Sequence, residues 1–191
     1  MIYIDTDMIR LINTAEAFRG LVSEASKLLK AEGYGFSLNA YVASVREVAE
    51  RLMVTDPSAS GFDKLPAVIL VRGYLEDIQA DGVGDTRMKN ASVLIVADSA
   101  TDYTSEERET KVYAPVLWPA TAAFLNTAVD MGILSPLATV QKIDRQKISE
   151  ALNEEVASVM DSPLFNERLD GVELRAITFL FDCNNTKNND L

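Results

Sequence analysis

Two prolines inside the most apolar stretch of the chain limit what it can fold into. Residues 103–132, YTSEERETKVYAPVLWPATAAFLNTAVDMG, contain Pro115, Pro119 and the one tryptophan, Trp118. A proline in a helix interior lacks the N–H donor, and its ring meets the carbonyl one turn back. The stretch opens on Thr104 with Glu107 three residues on, the spacing at which a hydroxyl and a carboxylate each satisfy an orphan N–H at a helix start. The pattern therefore predicts a short polar helix over 105–113, a break at Ala114–Pro115, and a buried helix restarting near Val116. Gly132 is placed to end it. Leu117, Ala120, Phe124, Leu125 and Ala128 recur at helical steps and predict the face that packs on a sheet.

The flanking sequence supplies the sheet and further helices. Met8, Leu11, Ile12, Ala15, Phe18, Val22, Ala25, Leu28 and Leu29 form a helical stripe over 6–32, with Asp5 or Thr6 at its start and Gly33 and Gly35 at its end. Tyr41, Val42, Val45, Val48, Ala49 and Leu52 predict a second helix over 39–53. AVILVRGY after Pro66 reads as a strand covered on both faces, and ASVLIVAD (91–98) as its antiparallel neighbour. Between them Glu76–Asn90 is polar; its DGVGD has no phosphate-loop context and reads as a long hairpin connection. Residues 133–142 are open between a short edge strand and a loop, and Ile148, Leu152, Val156 and Val159 predict a helix over 145–160. In GVELRAITFLF, Val172, Leu174 and Ala176 share one face, then Ile177, Phe179 and Phe181 take over after a phase slip that predicts a bulge. The expected fold is α+β, a small, mostly antiparallel sheet packed against several amphipathic helices. It occupies one domain over 1–181, with a polar tail over 182–191.

Composition removes whole classes of chemistry. The 191 residues include no histidine, so Ser-His-Asp and Cys-His catalysis and most zinc and iron sites are excluded. Cys183 has no second cysteine to bridge to and no adjacent cation to activate it. The expectation is a protein that is not an enzyme and has no cofactor and no metal. With 29 acidic against 18 basic residues, the net charge of −11 argues against gripping nucleic-acid phosphates. An acidic surface that DNA slides past stays compatible with it. MIYIDTDMIR carries Asp5 and Asp7 where a secretory signal needs basic residues, and no apolar run approaches a membrane span, so no membrane partner is expected.

Three blocks together resemble small virion proteins of the tail-terminator or head–tail joining type, encoded by tailed phages and prophages of Bacteroidetes. They are LPAVILVRGYLED (65–77), ASVLIVADSATDYTSEERETKVYAPVLWPATAAFL (91–125) and FNERLDGVELRAITFLF (165–181). The resemblance implies a tail-terminator-like α/β sandwich whose copies close into a ring, commonly a hexamer, at the head–tail junction of the virion. The implied partners are further copies of the chain, tail-tube and neck proteins, and DNA that passes through without sequence-specific binding. A head-completion or stopper protein, or an acidic enzyme or small-ligand protein, are the other readings. Ring closure needs one patch to meet a different patch on the next copy. The polar 77–90 segment is the expected arm, with Asp77, Asp81, Val83, Asp85, Arg87 and Lys89 as candidate contact residues.

Overall fold

β-Branched runs and period-two alternation build a six-stranded sheet of order β1-β2-β4-β6-β5, with β3 also paired to β4. The computed structural model describes residues 13–44, 47, 65–78, 86–100, 102–135, 137, 140–147 and 168–181, of which 78, 141–147 and 168 as backbone only. The strands are β1 Asn39–Ala43, β2 Ala67–Val71, β3 Leu75–Ile78, β4 Thr86–Ser99, β5 Gln141–Lys147 and β6 Arg168–Phe181. β1 runs parallel to β2, and the other pairings are antiparallel. The chain is an α+β protein with a mixed sheet. Ala67, Val68, Ile69 and Leu70 are each 0% exposed, as expected for a strand covered on both faces.

Both ends of the polar segment expected to be a loop are strand. Val71 pairs with Ser92 and Leu75 with Lys89, so β2 and β3 follow each other along one side of β4. Between them Gly73 takes φ +132°, a conformation L side chains rarely adopt. The β3–β4 ladder closes at Ile78–Thr86, which reduces the connection to residues 79–85, outside the described residues. Alternation survives in Arg87-Met88-Lys89: Met88 is buried while both cations are exposed. A strand that is polar on one whole face mimics a loop in composition.

The phase slip in β6 is a bulge, and β4 carries a matching one. The β4–β6 register shifts between Met88 and Ala91 and again between Ala91 and Val93. Asn90 and Ala176 sit at the two shifts, each at φ +56°. Their opposite placement cancels, so the same register holds beyond both. Ala176 is exposed; it is the extra residue of the bulge, and Ile177, Phe179 and Phe181 return to the buried face behind it. An alanine in the left-handed region costs about 1 kcal/mol that glycine avoids. Ala176→Gly removes one exposed methyl group and leaves the packing as it is. It is expected to raise stability by about 0.5–1 kcal/mol in chemical denaturation; a destabilised variant would show that the bulge is not held in that conformation.

Helices cover one face. α1 (Thr14–Ala31) begins eight residues later than the sequence stripe suggested: Asn13 is its N-cap and accepts from the Glu16 N–H at 3.2 Å. Asp5, Thr6 and the Met8–Ile12 part of the stripe lie outside the described residues. Gly33 ends α1 at φ +90°, with Tyr34 N–H bonding Leu29 C=O and Gly33 N–H bonding Lys30 C=O. Phe18, Leu21, Val22, Ala25 and Leu29 face the core. Ser26 Oγ both accepts from Leu38 N–H (2.7 Å) and donates to its carbonyl (3.3 Å), tying α1 to the entry of β1.

The proline-bearing stretch does not break. α2 (Ser105–Arg108) runs directly into a π-helical segment, Glu109–Leu117, and then α3 (Trp118–Asp130). The capping box at Thr104 and Glu107 forms as expected, and Gly132 follows α3 at φ +69°. The backbone N–H of Thr104 and the Lys111 ammonium hold the Glu107 carboxyl down at about 2, so it is charged across the ordinary pH range. A wider turn bonded i→i+5 makes room for the Pro115 ring that an α-turn denies it. Pro119 falls in the first turn of α3. Continuity makes Ser105–Asp130 a helix of 26 residues, by length and composition enough to cross a membrane, contrary to the expectation of no such run. Half of its apolar window is buried in this fold, as in a core helix. Leu117, Ala120, Phe124 and Ala128 are buried as expected, with Leu125 only partly so. Phe124 meets Phe18 of α1 at 5.9 Å and Phe179 of β6 at 6.3 Å between ring centroids.

Two further expectations are corrected. Residues 39–43 are strand and not helix; Tyr41 and Val42 suit a strand, and their backbone pairs with Ile69 and Leu70 of β2. A helix-start signal comes after it: Ser44 and Glu47 bond each other's backbone N–H at 3.3 and 2.8 Å. Residues 145–147 belong to β5, paired to β6, so strand replaces the first residues of the helix expected over 145–160. The remainder of both helices and the 182–191 tail lie outside the described residues.

Candidate interaction surface

The face of the sheet opposite the helices divides in two. Along β2, the C-terminal half of β4 and the start of β6, the side chains Ala67, Ile69, Leu94, Val96 and Leu169 form a second buried cluster, with Ala43 of β1. Past Ser92 and Glu173 the same face becomes exposed and charged. The two bulges, at Asn90 and Ala176, fall at this boundary. Bulges bend a strand and sharpen its twist, which turns the exposed half away from the buried one.

The exposed half is a lattice of alternating charge. Asp77 is opposite Arg87, and Leu75 is opposite Lys89. Lys89 reaches diagonally to the Asp77 carboxylate, both about half exposed. Arg87 lies between Asp77 on β3 and Leu180 on β6. Nearer the boundary Arg175 donates two bonds of 2.8 Å to Glu173, which also accepts from Ser92 Oγ at 2.8 Å. Exposed pairs of this kind contribute ~0–1 kcal/mol to stability. Leu75 is 61% exposed among them, a large apolar side chain set in a polar field. β3 has one hydrogen-bonded partner, β4, among the described strands, which leaves an open edge beside this surface.

Of the candidate contact residues, Asp77, Arg87 and Lys89 come together on this face. Asp81, Val83 and Asp85 lie outside the described residues. Sequence reasoning missed Leu75, Glu173, Arg175 and Thr178, which share or border the same surface. The missed signal was the i, i+2 spacing of Leu75 and Asp77 and of Arg87 and Lys89. The opposite side of β3 turns inward: Glu76 accepts from Thr14 Oγ1 at 2.6 Å, pinning the strand to the start of α1.

Among the described residues no group of three or more Asp, Glu or Cys side chains is disposed to hold a metal ion. What the described surface offers is paired charges, one exposed leucine and a strand edge that no other described strand covers. No family model matches the chain, and no curated protein matches it either.

Proposed function

We propose that this protein is a structural, non-catalytic subunit of a phage virion, a tail terminator whose copies close into a ring at the head–tail junction. The observation that carries the reading is the exposed, charge-alternating half of the sheet around Asp77, Arg87 and Lys89, bordered by the open edge of β3. A ring needs such a patch to meet a different patch on the next copy. The sequence blocks at 65–77, 91–125 and 165–181 support the same reading, because they form β2–β3, β4 with the long helix, and β6. The acidic excess suits a collar through which DNA passes without sticking.

Light scattering with negative-stain microscopy of the purified protein tests this. Rings are expected, and compact monomers at every concentration would overturn it. Arg87→Glu combined with Lys89→Glu reverses the cations of the surface without touching the core; the expected result is a folded monomer that no longer closes. Rings of normal size from that variant would remove this face from the interface. In virion fractionation the protein is expected with tail tubes, whereas recovery with the portal would identify a head-side stopper.

A further inference from the structure

The π-helical segment Glu109–Leu117 is unusual in length, since such turns occur mostly singly. Its side chains make contacts that an α-helix forbids. Trp118 Nε1 donates to Glu109 Oε1 at 3.4 Å, nine residues away. In an α-helix nine residues make two and a half turns and place the two on opposite faces. With wider turns they come close to two full turns and meet. The rings of Tyr113 and Trp118, five residues apart, sit 5.6 Å between centroids for the same reason. On the sheet side the helix is fastened where the π segment begins. Arg108 makes a bidentate pair with Asp170 of β6, Nε to Oδ2 at 2.7 Å and Nη2 to Oδ1, and Asp170 is 0% exposed. Tyr113 O–H donates to the neighbouring Gly171 carbonyl at 3.4 Å.

We propose that the Arg108–Asp170 pair is a register latch: Pro115 keeps an α-turn from forming through its own position, the pair holds the turns before it in the wide register, and breaking the pair lets residues 109–114 tighten towards α-helix. A turn closed by an i→i+5 bond holds more residues than the ~3.6 of an α-turn, so tightening these turns rotates the chain before them about the helix axis. α2, with the exposed carboxylates of Glu106 and Glu107, would swing relative to the sheet, and Glu109 would part from Trp118, while the Tyr113–Trp118 contact, which spans Pro115, would stay. The device couples contacts at the start of the long helix to the hydrogen bond of Trp118. It is independent of the ring reading, because it rests on the helix and β6 and not on the outer sheet face.

NMR on the full chain tests it, helped by the single tryptophan, whose indole N–H is unambiguous. Asp170→Asn keeps the shape and removes the charge; Arg108→Lys keeps the charge and removes the planar fork. In both variants the indole hydrogen, released from Glu109, is expected to exchange about tenfold faster or more. The Phe18–Phe124 contacts should remain, reporting an intact core. A folded variant that retains slow indole exchange would overturn the latch. Collapse of the Phe18–Phe124 contacts in both variants would overturn it too, since the pair would then hold the fold as a whole and no particular register.

Discussion

Arg108→Ala is expected to cost about 3 kcal/mol of folding stability, near the lower end of the roughly 3–5 kcal/mol seen when one partner of a buried ion pair is removed. The partner left behind sets the cost. Asp170 has no exposed surface, whereas the Arg108 side chain keeps 11% of its own. Alanine therefore strips the guanidinium from a carboxylate that water reaches poorly, and the desolvation of that carboxylate loses the charge that offsets it. The Asp170 hydrogen bonds raise the Arg108 pKa further above its ordinary value while burial pulls the other way, so the guanidinium is charged at any pH the fold meets. Urea denaturation should show a lower midpoint with an unchanged slope. Because the pair is shielded from solvent, the loss should persist in high salt. Arg175 is the control: its bidentate pair with Glu173 has the same chemistry but an arginine 51% exposed, and Arg175→Ala should hardly move the midpoint. Equal losses at both positions would mean that burial is not what makes the Arg108 pair matter.

The core helices and strands could be read from the sequence where one period dominated over enough residues. The Phe18–Leu29 stripe follows from a period of 3.6 and the phase slip at Ala176 from a period of 2, while the 67–71 and 91–98 strands follow from short, nearly continuous apolar runs. The failures are places where two periods fit the same residues, or where neither of the two did. Tyr41 and Val42 satisfied a helical stripe continuing to Leu52, yet pairing with β2 claimed them; the capping-box spacing of Ser44 and Glu47 was the clue that residues 39–43 lie outside a helix. Over 108–117 the inward positions Arg108, Tyr113 and Val112, Leu117 recur at steps of five, which a search at 3.6 reads as a break, and the prolines reinforced that error. The interaction surface was half visible. Arg87, Lys89 and Asp77 stood out as charged, but their polarity masked the alternation that makes them one face of a ladder. Arg175 and Glu173 are brought beside them by long-range strand pairing, which no local pattern encodes.

Phe179→Ala is expected to cost about 4 kcal/mol, within the range of roughly 3–5 kcal/mol for a buried phenylalanine truncated to alanine. Phe179 is 0% exposed, and its ring lies edge-on to Phe18 at 6.4 Å and to Phe124 at 6.3 Å, with Phe181 at 5.9 Å. It is the contact at which α1, α3 and β6 converge, so the void has walls from three elements and none can close it without leaving another neighbour. A thermal shift of about 10 °C or more should follow, at roughly 2–4 °C per kcal/mol for a chain of this size. The comparison that gives the result its meaning is Leu180→Ala, one residue on. Were β6 regular from Val172 and Leu174 onward, alternation would bury Thr178 and Leu180 and turn Phe179 to solvent. The bulge at Ala176 reverses that assignment: Thr178 is exposed, Leu180 is half-buried on the outer face, and Phe179 is enclosed. Leu180→Ala should therefore cost about 1 kcal/mol or less. A reversal of the two costs would mean that the strand runs straight through Ala176, and the charged surface built on its register would no longer lie on one face.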